Sequence, residues 1–181
     1  MQFLPTILRD CYVVEFNKFS DDRGWFSRTY CKNEFSSIGF DKNWVQHNHS
    51  FTTHKGTIRG MHFQIPPFAE TKLVRCISGK VYDVVVDLRR SSETYLKWFG
   101  TELSSSNNKM IFIPEGFAHG FQTLEENSEL LYCHSEFYNP AHESGIYYKD
   151  SKIGINWPLA VTQLSERDSN HSIINDTFKG L

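Results

Sequence analysis

The sequence predicts an all-β protein, a sandwich or barrel formed by one domain spanning residues 1–181. Three observations favour this fold class. Apolar runs are short and end at Gly, Pro, Asn or Ser, as strands do. Several of these runs alternate with the period of two that a strand requires. Helical spacing is confined to short stretches, around residues 31–37 and near the C-terminus.

The clearest strand signal lies in residues 73–90. Gly79 and Lys80 separate two apolar runs, which predicts a β-hairpin at this point. Residues 81–88 then place every second side chain on the same face, as a strand does.

Two later runs extend the pattern. Residues 110–113 form an apolar strand that Pro114 stops. In residues 129–137, Tyr132 and His134 fall on one face and mostly apolar side chains on the other. A strand of this type suits the wall of a barrel that holds a ligand.

Length, charge and cysteine usage exclude several classes of protein. The 181 residues are enough for one domain with a core and hardly enough for two. The net charge of -2 provides no basic stripe for a nucleic-acid partner. Four dispersed cysteines form no Cys-x-x-Cys pair, which argues against disulfides or a cysteine zinc site and favours a reducing compartment. No signal-peptide pattern or membrane-length apolar run is visible, so we expect a cytoplasmic protein without a membrane partner.

Four clusters carry residues capable of chemistry: DDRGWF at 21–26, QHNHS at 46–50, RGMHFQ at 59–64 with Lys72 nearby, and PEGFAHGF at 114–121. Taken singly, each fits a polar turn, a surface charge or a satisfied histidine. Together they favour a site, because polar groups that point into a barrel need partners, water or a ligand.

The histidines in these clusters also raise a metal hypothesis. His47 and His49 share a strand face, and His62 and His119 could complete an iron, zinc or manganese site. Against it, no carboxylate follows His62 within six residues, and Gln64 is a weak ligand. We therefore expect no metal and no cofactor.

Across nearly its whole length the chain resembles the dTDP-4-dehydrorhamnose 3,5-epimerase family of the cupin superfamily. The motifs that carry the resemblance are DDRGWF at 21–26, WVQHNHS at 44–50, TIRGMHFQ at 57–64, KLVRCISGKVYDVVVDLR at 72–89 and IPEGFAHGFQTL at 113–124, followed by IGINWP at 153–158 and LSERD at 164–168. The resemblance implies a cupin jelly roll with short flanking helices. It also implies a homodimer whose N-terminal segment reaches the partner's site, and a nucleoside-diphosphate 4-keto-6-deoxy-hexose as substrate.

The resemblance implies a role for each matching residue. His62 is the expected base and Asp168 the carboxylate that orients it, while Tyr132 is the acid on the opposite face and Lys72 the cation at the enolate oxygen. Expected substrate contacts are Arg23, Phe26, Arg28, Gln46, Asn48, Arg59, His119, Tyr138 and Glu143. Such chemistry needs these groups, because removing a proton beside a ketone and returning it from the other side takes a base, an acid and a cation.

One position departs from the family pattern. The family usually has a glutamate two positions after Phe26, where it accepts a hydrogen bond from the thymine edge, and this chain has Arg28. A guanidinium only donates hydrogen bonds, so Arg28 cannot accept the thymine N–H as the family's glutamate does. The alternatives are a 3-epimerase, the same chemistry on another nucleotide sugar, a metal-dependent cupin, and a sugar-binding cupin without activity.

Overall fold

The computed structural model describes residues 1–181 and confirms the all-β prediction. The strands in chain order are β1 (Gln2–Pro5), β2 (Tyr12–Glu15), β3 (Phe19–Asp21), β4 (Gly24–Phe26), β5 (Gln46–Thr52), β6 (Ile58–Gln64), β7 (Lys72–Ser78), β8 (Lys80–Asp87), β9 (Trp98–Ser104), β10 (Lys109–Ile113), β11 (Phe117–Thr123), β12 (Ser128–His134) and β13 (Glu143–Gly145). The helices are short: α1 (Lys32–Phe35), a 3₁₀ turn (Ser36–Ile38) and α2 (Glu166–Ser169). No helix is long and apolar enough to cross a membrane.

The strands form two large antiparallel sheets and a small ribbon. The six-stranded sheet has the order β1-β2-β10-β7-β12-β5, and the five-stranded sheet has the order β13-β6-β11-β8-β9. Strands β3 and β4 pair only with each other and form the ribbon. Because strands from both halves of the chain alternate within each sheet, neither sheet is complete until residues far apart in sequence have met.

Apolar side chains fill three layers. Between the sheets, Val74, Val85 and Phe121 belong to a fully buried cluster. The outer face of the five-stranded sheet is covered by the C-terminal segment, in which Ile153 packs with strand residues. The outer face of the six-stranded sheet is covered by α1, where Phe35 is completely buried. Burying a side chain of this size stabilises the fold by roughly 1.5–3 kcal/mol.

The hairpin prediction at Gly79 is wrong. Strand β7 pairs with β10 and β12, whereas β8 pairs with β9 and β11, so the chain passes from one sheet to the other at this residue. Gly79 has φ +70°, and a Cβ there would lie 2.5 Å from Oγ of Ser128. The glycine therefore serves a tight corner, which has the same local sequence signal as a hairpin.

Candidate active site

A cavity of about 1260 Å³ opens between the two sheets. Its volume exceeds the range of most small-molecule sites, which is roughly 300–1,000 Å³. Nine of the thirteen predicted site residues line it: Asn48, Arg59, His62, Lys72, His119, Tyr132, Tyr138, Glu143 and Asp168. The fold therefore gathers these nine residues around one space.

His62 and Asp168 form a hydrogen-bonded pair at the cavity wall. Nε2 of His62 on β6 lies 2.7 Å from Oδ1 of Asp168 on α2. Burial alone would raise the pKa of Asp168, but the hydrogen bonds from His62 and from the Gly60 backbone hold that pKa well below its usual range. The ionised carboxylate accepts the Nε2 proton, which leaves Nδ1 as the nitrogen with a free lone pair.

Gly60 fixes the position of that carboxylate. Its backbone N–H donates to Oδ2 of Asp168 at 3.0 Å. Gly60 has φ +129°, and a Cβ there would lie 2.6 Å from Cα of Gly120 on the neighbouring strand. The register between β6 and β11 shifts beside this contact. A glycine is required here because only its backbone reaches both Gly120 and the carboxylate.

A second charged group lies beside Nε2 of His62, the nitrogen that contacts Asp168. The guanidinium of Arg167 lies 3.0 Å from Nε2 of His62 and donates to both oxygens of Glu143, at 2.9 and 3.0 Å. Glu143 also accepts the Tyr138 hydroxyl proton at 2.9 Å, and this hydrogen bond raises the pKa of Tyr138. The carboxylate of Glu143 thus compensates the positive charge beside His62.

Tyr132 faces the same cavity from the opposite sheet. It lies on β12, where its register partner on β5 is Asn48. Its hydroxyl is 3.0 Å from Oγ of Ser50. Burial raises the pKa of Tyr132 well above its ordinary value, so the phenol keeps its proton at neutral pH. The cavity therefore has an imidazole on one wall and a phenolic O–H on the other.

Lys72 lines the cavity and is only 8% exposed. Its ammonium lies 3.1 Å from Oε1 of Glu70. The other oxygen of Glu70 is 2.6 Å from Nδ1 of His134. Burial would raise the pKa of Glu70, but the hydrogen bond from His134 and the charge of Lys72 hold it below its usual value. Glu70 is therefore an ionised carboxylate shared by two buried partners.

A second imidazole–carboxylate pair lies beside the first. His119 on β11 is the register partner of His62, and its Nε2 is 2.9 Å from Oδ2 of Asp83. Asp83 is completely buried, and this burial raises its pKa against the opposing effect of His119. The ring of His119 lies 6.2 Å from the ring of Tyr132, so residues of the two sheets come close together at this point.

Two further predicted contacts sit where the edge of the six-stranded sheet meets the cavity. Arg59 donates to Oγ1 of Thr52 and to the Phe51 carbonyl, at 3.0 and 3.1 Å. Gln46 does not line the cavity directly. Its side chain accepts from the backbone N–H of Tyr138 and donates to Asn48, and so holds both next to the opening.

Three predicted contacts lie outside the cavity. Arg23 is 90% exposed and pairs only with its neighbour Asp21. Phe26 is 71% exposed at the end of the same ribbon. Arg28 follows the ribbon, and its guanidinium lies 3.3 Å from Oε1 of Glu34. None of the three lines the cavity that surrounds His62.

The four histidines of the metal hypothesis line the same cavity, but together they do not form a group of atoms close enough to hold a metal ion. On β5, His47 and His49 pair with Cys133 and Leu131, and so lie on the sheet face opposite to Tyr132. His49 instead contacts Glu129 at 2.8 Å. The fold groups a different set of metal-capable atoms, those of His62, Asp168 and His171, within 4.8 Å of one another. The guanidinium of Arg167 already brings positive charge to that point, which opposes a bound cation.

Comparison with known proteins identifies the family. A model of the dTDP-4-dehydrorhamnose 3,5-epimerase family matches residues 5–176. The chain belongs to this family. It is 42% identical to the dTDP-4-dehydrorhamnose 3,5-epimerase of Shigella flexneri over 171 residues, 94% of each chain.

Solved structures of the family share the fold. The dTDP-4-dehydrorhamnose 3,5-epimerase of Elizabethkingia anophelis superposes with a TM-score of 0.94 at 39% identity, covering 98% of both chains. A dTDP-6-deoxy-D-glucose-3,5-epimerase of Legionella pneumophila in complex with dTDP-4-keto-L-rhamnose has a TM-score of 0.90 at 34% identity, covering 95% of this chain and 92% of that one. The cupin jelly roll expected from the sequence is thereby confirmed.

Sequence reasoning missed several residues of the site. Arg167 stands next to Asp168 in the LSERD motif, but nothing in the spacing showed that its side chain turns toward His62. Asp83 could have been found, since the alternation in β8 places it on the buried face with Val85. The sequence showed that Tyr132 and His134 share a strand face, but it gave no sign that Glu70 contacts His134. Arg167, Asp83 and Glu70 are therefore the charged residues in or beside the cavity that the sequence analysis did not identify as part of the site.

Proposed function

We propose that this protein is a dTDP-4-dehydrorhamnose 3,5-epimerase that inverts carbons 3 and 5 of dTDP-4-dehydro-6-deoxy-D-glucose to give dTDP-4-dehydro-L-rhamnose. One observation carries the proposal: an imidazole–carboxylate pair and a phenol face one cavity from opposite sheets. Family membership supports the choice of substrate. Inversion needs groups on both sides of the sugar ring, and two facing sheets provide them.

His62 is the proposed base. The ketone at carbon 4 makes the hydrogens on carbons 3 and 5 removable, since the carbanion delocalises into an enolate. Asp168 holds the imidazole in one tautomer and stabilises the imidazolium that forms when the proton is taken. Its low pKa supports this role, because a carboxylate that stays ionised compensates the new positive charge.

Lys72 and Tyr132 complete the proposed reaction. The Lys72 ammonium neutralises the developing enolate oxygen, an effect typically worth about 3 kcal/mol of barrier. Tyr132 then donates its proton to the carbon from the face opposite His62. The raised pKa of Tyr132 suits a donor that must hold its proton until the carbanion forms. General acid catalysis of this kind contributes roughly 10²- to 10⁴-fold in rate.

The remaining predicted residues would bind the substrate. Arg59 is the proposed contact of the diphosphate, since a guanidinium matches two oxygens at once. Asn48, Gln46, His119, Tyr138 and Glu143 are the proposed contacts of the sugar and its linkage. These five roles are supported by the positions of the residues, because each lines the cavity or forms a hydrogen bond to a residue that does.

We also propose that two copies of the chain share their sites. The β3–β4 ribbon exposes Phe19, Trp25 and Phe26, each more than half exposed in the isolated protomer. Exposed apolar rings in such number on one ribbon favour an interaction site. Insertion of the ribbon into the partner's cavity would bring Arg23, Phe26 and Arg28 to the nucleotide. A homodimer measured by light scattering at micromolar concentration is the expected result.

Three further expectations remain proposals. Residues 1–181 would act as one domain, supported by the C-terminal segment that packs on the five-stranded sheet. The reaction would not depend on a metal, so turnover should survive dialysis against a chelator. A cytoplasmic location is supported by four cysteines that remain free, as in a reducing compartment.

Exchange in deuterated water tests the proposed reaction. The protein is incubated with dTDP-4-keto-6-deoxyglucose in D₂O, and label is located by NMR. Deuterium should enter carbons 3 and 5, and His62→Asn should abolish both exchanges while leaving the fold intact. Label at carbon 3 alone would mean a 3-epimerase. Absence of exchange with the dTDP sugar and with its UDP, GDP and CDP analogues would contradict the proposal.

A further inference from the structure

His134 and Glu70 form a buried pair in the wall of the cavity that the proposed reaction leaves without a role. His134 on β12 has Lys72 on β7 as its register partner. One carboxylate joins the two, since Glu70 contacts Nδ1 of His134 at 2.6 Å and Nζ of Lys72 at 3.1 Å. His134 is 7% exposed and Lys72 is 8% exposed. All three residues line the cavity.

The second nitrogen of His134 is buried and has no partner. Nε2 forms no hydrogen bond although the ring is more than nine-tenths buried. A buried polar atom left unpaired costs about 1–3 kcal/mol, so such atoms are rare in folded proteins. A histidine that merely fills space against Tyr132, whose ring is 6.1 Å away, would not need a buried glutamate on its other side. The unpaired nitrogen therefore points to a ligand.

The contact with Glu70 determines what Nε2 can bind. An ionised carboxylate accepts the proton on Nδ1, so the neutral ring presents Nε2 as a hydrogen-bond acceptor. Nε2 of His134 can therefore accept a hydrogen bond from a hydroxyl group, and the ammonium of Lys72 can donate one to a neighbouring oxygen. A sugar ring carries such pairs of oxygens.

We propose that His134 and Lys72 form a two-point subsite for the sugar, in which Nε2 of His134 accepts the proton of a ring hydroxyl while Lys72 donates to the neighbouring oxygen. Glu70 is the positioning residue, because its two oxygens hold both groups. This inference rests on the proposed function for the identity of the sugar nucleotide. The subsite would favour sugars that carry a hydroxyl next to the carbonyl. The base, the acid and the cation at the enolate oxygen do not recognise this hydroxyl.

Binding of dTDP-glucose tests the subsite separately from turnover. Dissociation constants for dTDP-glucose and for dTDP are measured by calorimetry with the wild type and with His134→Leu. The variant should bind dTDP-glucose about fivefold to tenfold more weakly, the loss of one hydrogen bond, and bind dTDP within about twofold of the wild type. The control is His54→Leu, since His54 pairs with Glu126 on the surface outside the cavity. It should leave both constants unchanged.

Deoxy analogues of the sugar identify the hydroxyl. Carbon 3 is the neighbour of carbon 4 that carries a hydroxyl, so 3-deoxy-dTDP-glucose should bind the wild type about fivefold to tenfold more weakly than dTDP-glucose does. It should bind His134→Leu no more weakly than dTDP-glucose does, and the 2-deoxy and 4-deoxy forms should not show this dependence on His134. If His134→Leu does not fold, Glu70→Gln replaces it. Glutamine has the shape of glutamate but no negative charge, so Glu70→Gln loses the ion pair that holds Lys72. The variant should therefore have a lower kcat and nearly the same affinity for dTDP.

Equal affinity of a folded His134→Leu and the wild type for dTDP-glucose would overturn the subsite. So would a Glu70→Gln enzyme with unchanged kcat and KM. These results are distinct from a failure of the proposed reaction, because a wild type without exchange activity still yields the series of dissociation constants.

Discussion

Replacement of Asp168 by asparagine should disable the site while changing almost nothing in its shape. The two oxygens of Asp168 each accept a proton, one from Nε2 of His62 at 2.7 Å and one from the Gly60 backbone at 3.0 Å. Asparagine has a single acceptor oxygen, so one of these hydrogen bonds must be lost.

Both orientations of the amide are unfavourable. If the oxygen faces His62, the amide N–H groups meet the N–H of Gly60, and a buried donor stays unpaired at about 1–3 kcal/mol. If the nitrogen faces His62, it donates to Nε2 and forces the ring proton onto Nδ1, where the base needs its lone pair. We expect Asp168→Asn to lower kcat by about 10⁴-fold, as the same change does in a Ser-His-Asp triad.

The assay is deuterium exchange by NMR, combined with thermal unfolding and calorimetric binding of dTDP. A loss of about 2 kcal/mol corresponds to a fall of roughly 4–8 °C in Tm for a protein of this size. The matched control is Asp150→Asn, since Asp150 is equally buried and accepts only backbone protons, from Lys152, Ile153 and Ile174. It should lower Tm and spare the rate. An Asp168→Asn enzyme within threefold of the wild-type rate would refute the reasoning.

Three other predictions concern single residues. Tyr132→Phe should slow epimerisation about 10²- to 10⁴-fold; wild-type product formation would contradict its role as acid. Gly60→Ala should cost about 3 kcal/mol or more, because its Cβ would lie 2.6 Å from Cα of Gly120 at a positive φ; an unchanged urea midpoint would exclude this contact. Because the pKa of Asp168 is depressed on folding, its stabilisation is present above the ordinary value of about 3.9 and is lost as pH falls below it. Acid unfolding monitored by circular dichroism should therefore occur at higher pH for Asp168→Asn than for the wild type.

Local patterns predicted the strands well because alternation is a property of a few adjacent residues. The apolar strand before Pro114 is β10, and the alternating run after Gly79 is β8. The partner of each strand is a long-range property. Gly79 marks a change of direction, but the hydrogen bonds that place β7 and β8 in different sheets involve strands from elsewhere in the chain.

The site residues depended more on resemblance than on pattern. Spacing alone gave no reason to bring Asp168 to His62, since 106 residues separate them and α2 is too short to show a helical period. The pair Glu70 and His134 meets only because β7 and β12 are neighbours, and that pairing cannot be inferred from the residues between them. Arg23 and Phe26 belong to a ribbon that pairs with no other strand, and Arg28 follows it, so no strand pairing brings these residues to the cavity.

The long separation between His62 and Asp168 has a consequence for how activity could be lost. The carboxylate reaches the imidazole on a short segment that is docked against the sheets and is not itself a strand. Detaching such a segment exposes far less apolar surface than melting the two sheets, so it requires a smaller free energy than global unfolding. Mild denaturant should therefore abolish activity while the spectroscopic signal of the β-sheets persists. Loss of activity would then reveal partial unfolding of this protein before loss of sheet structure does.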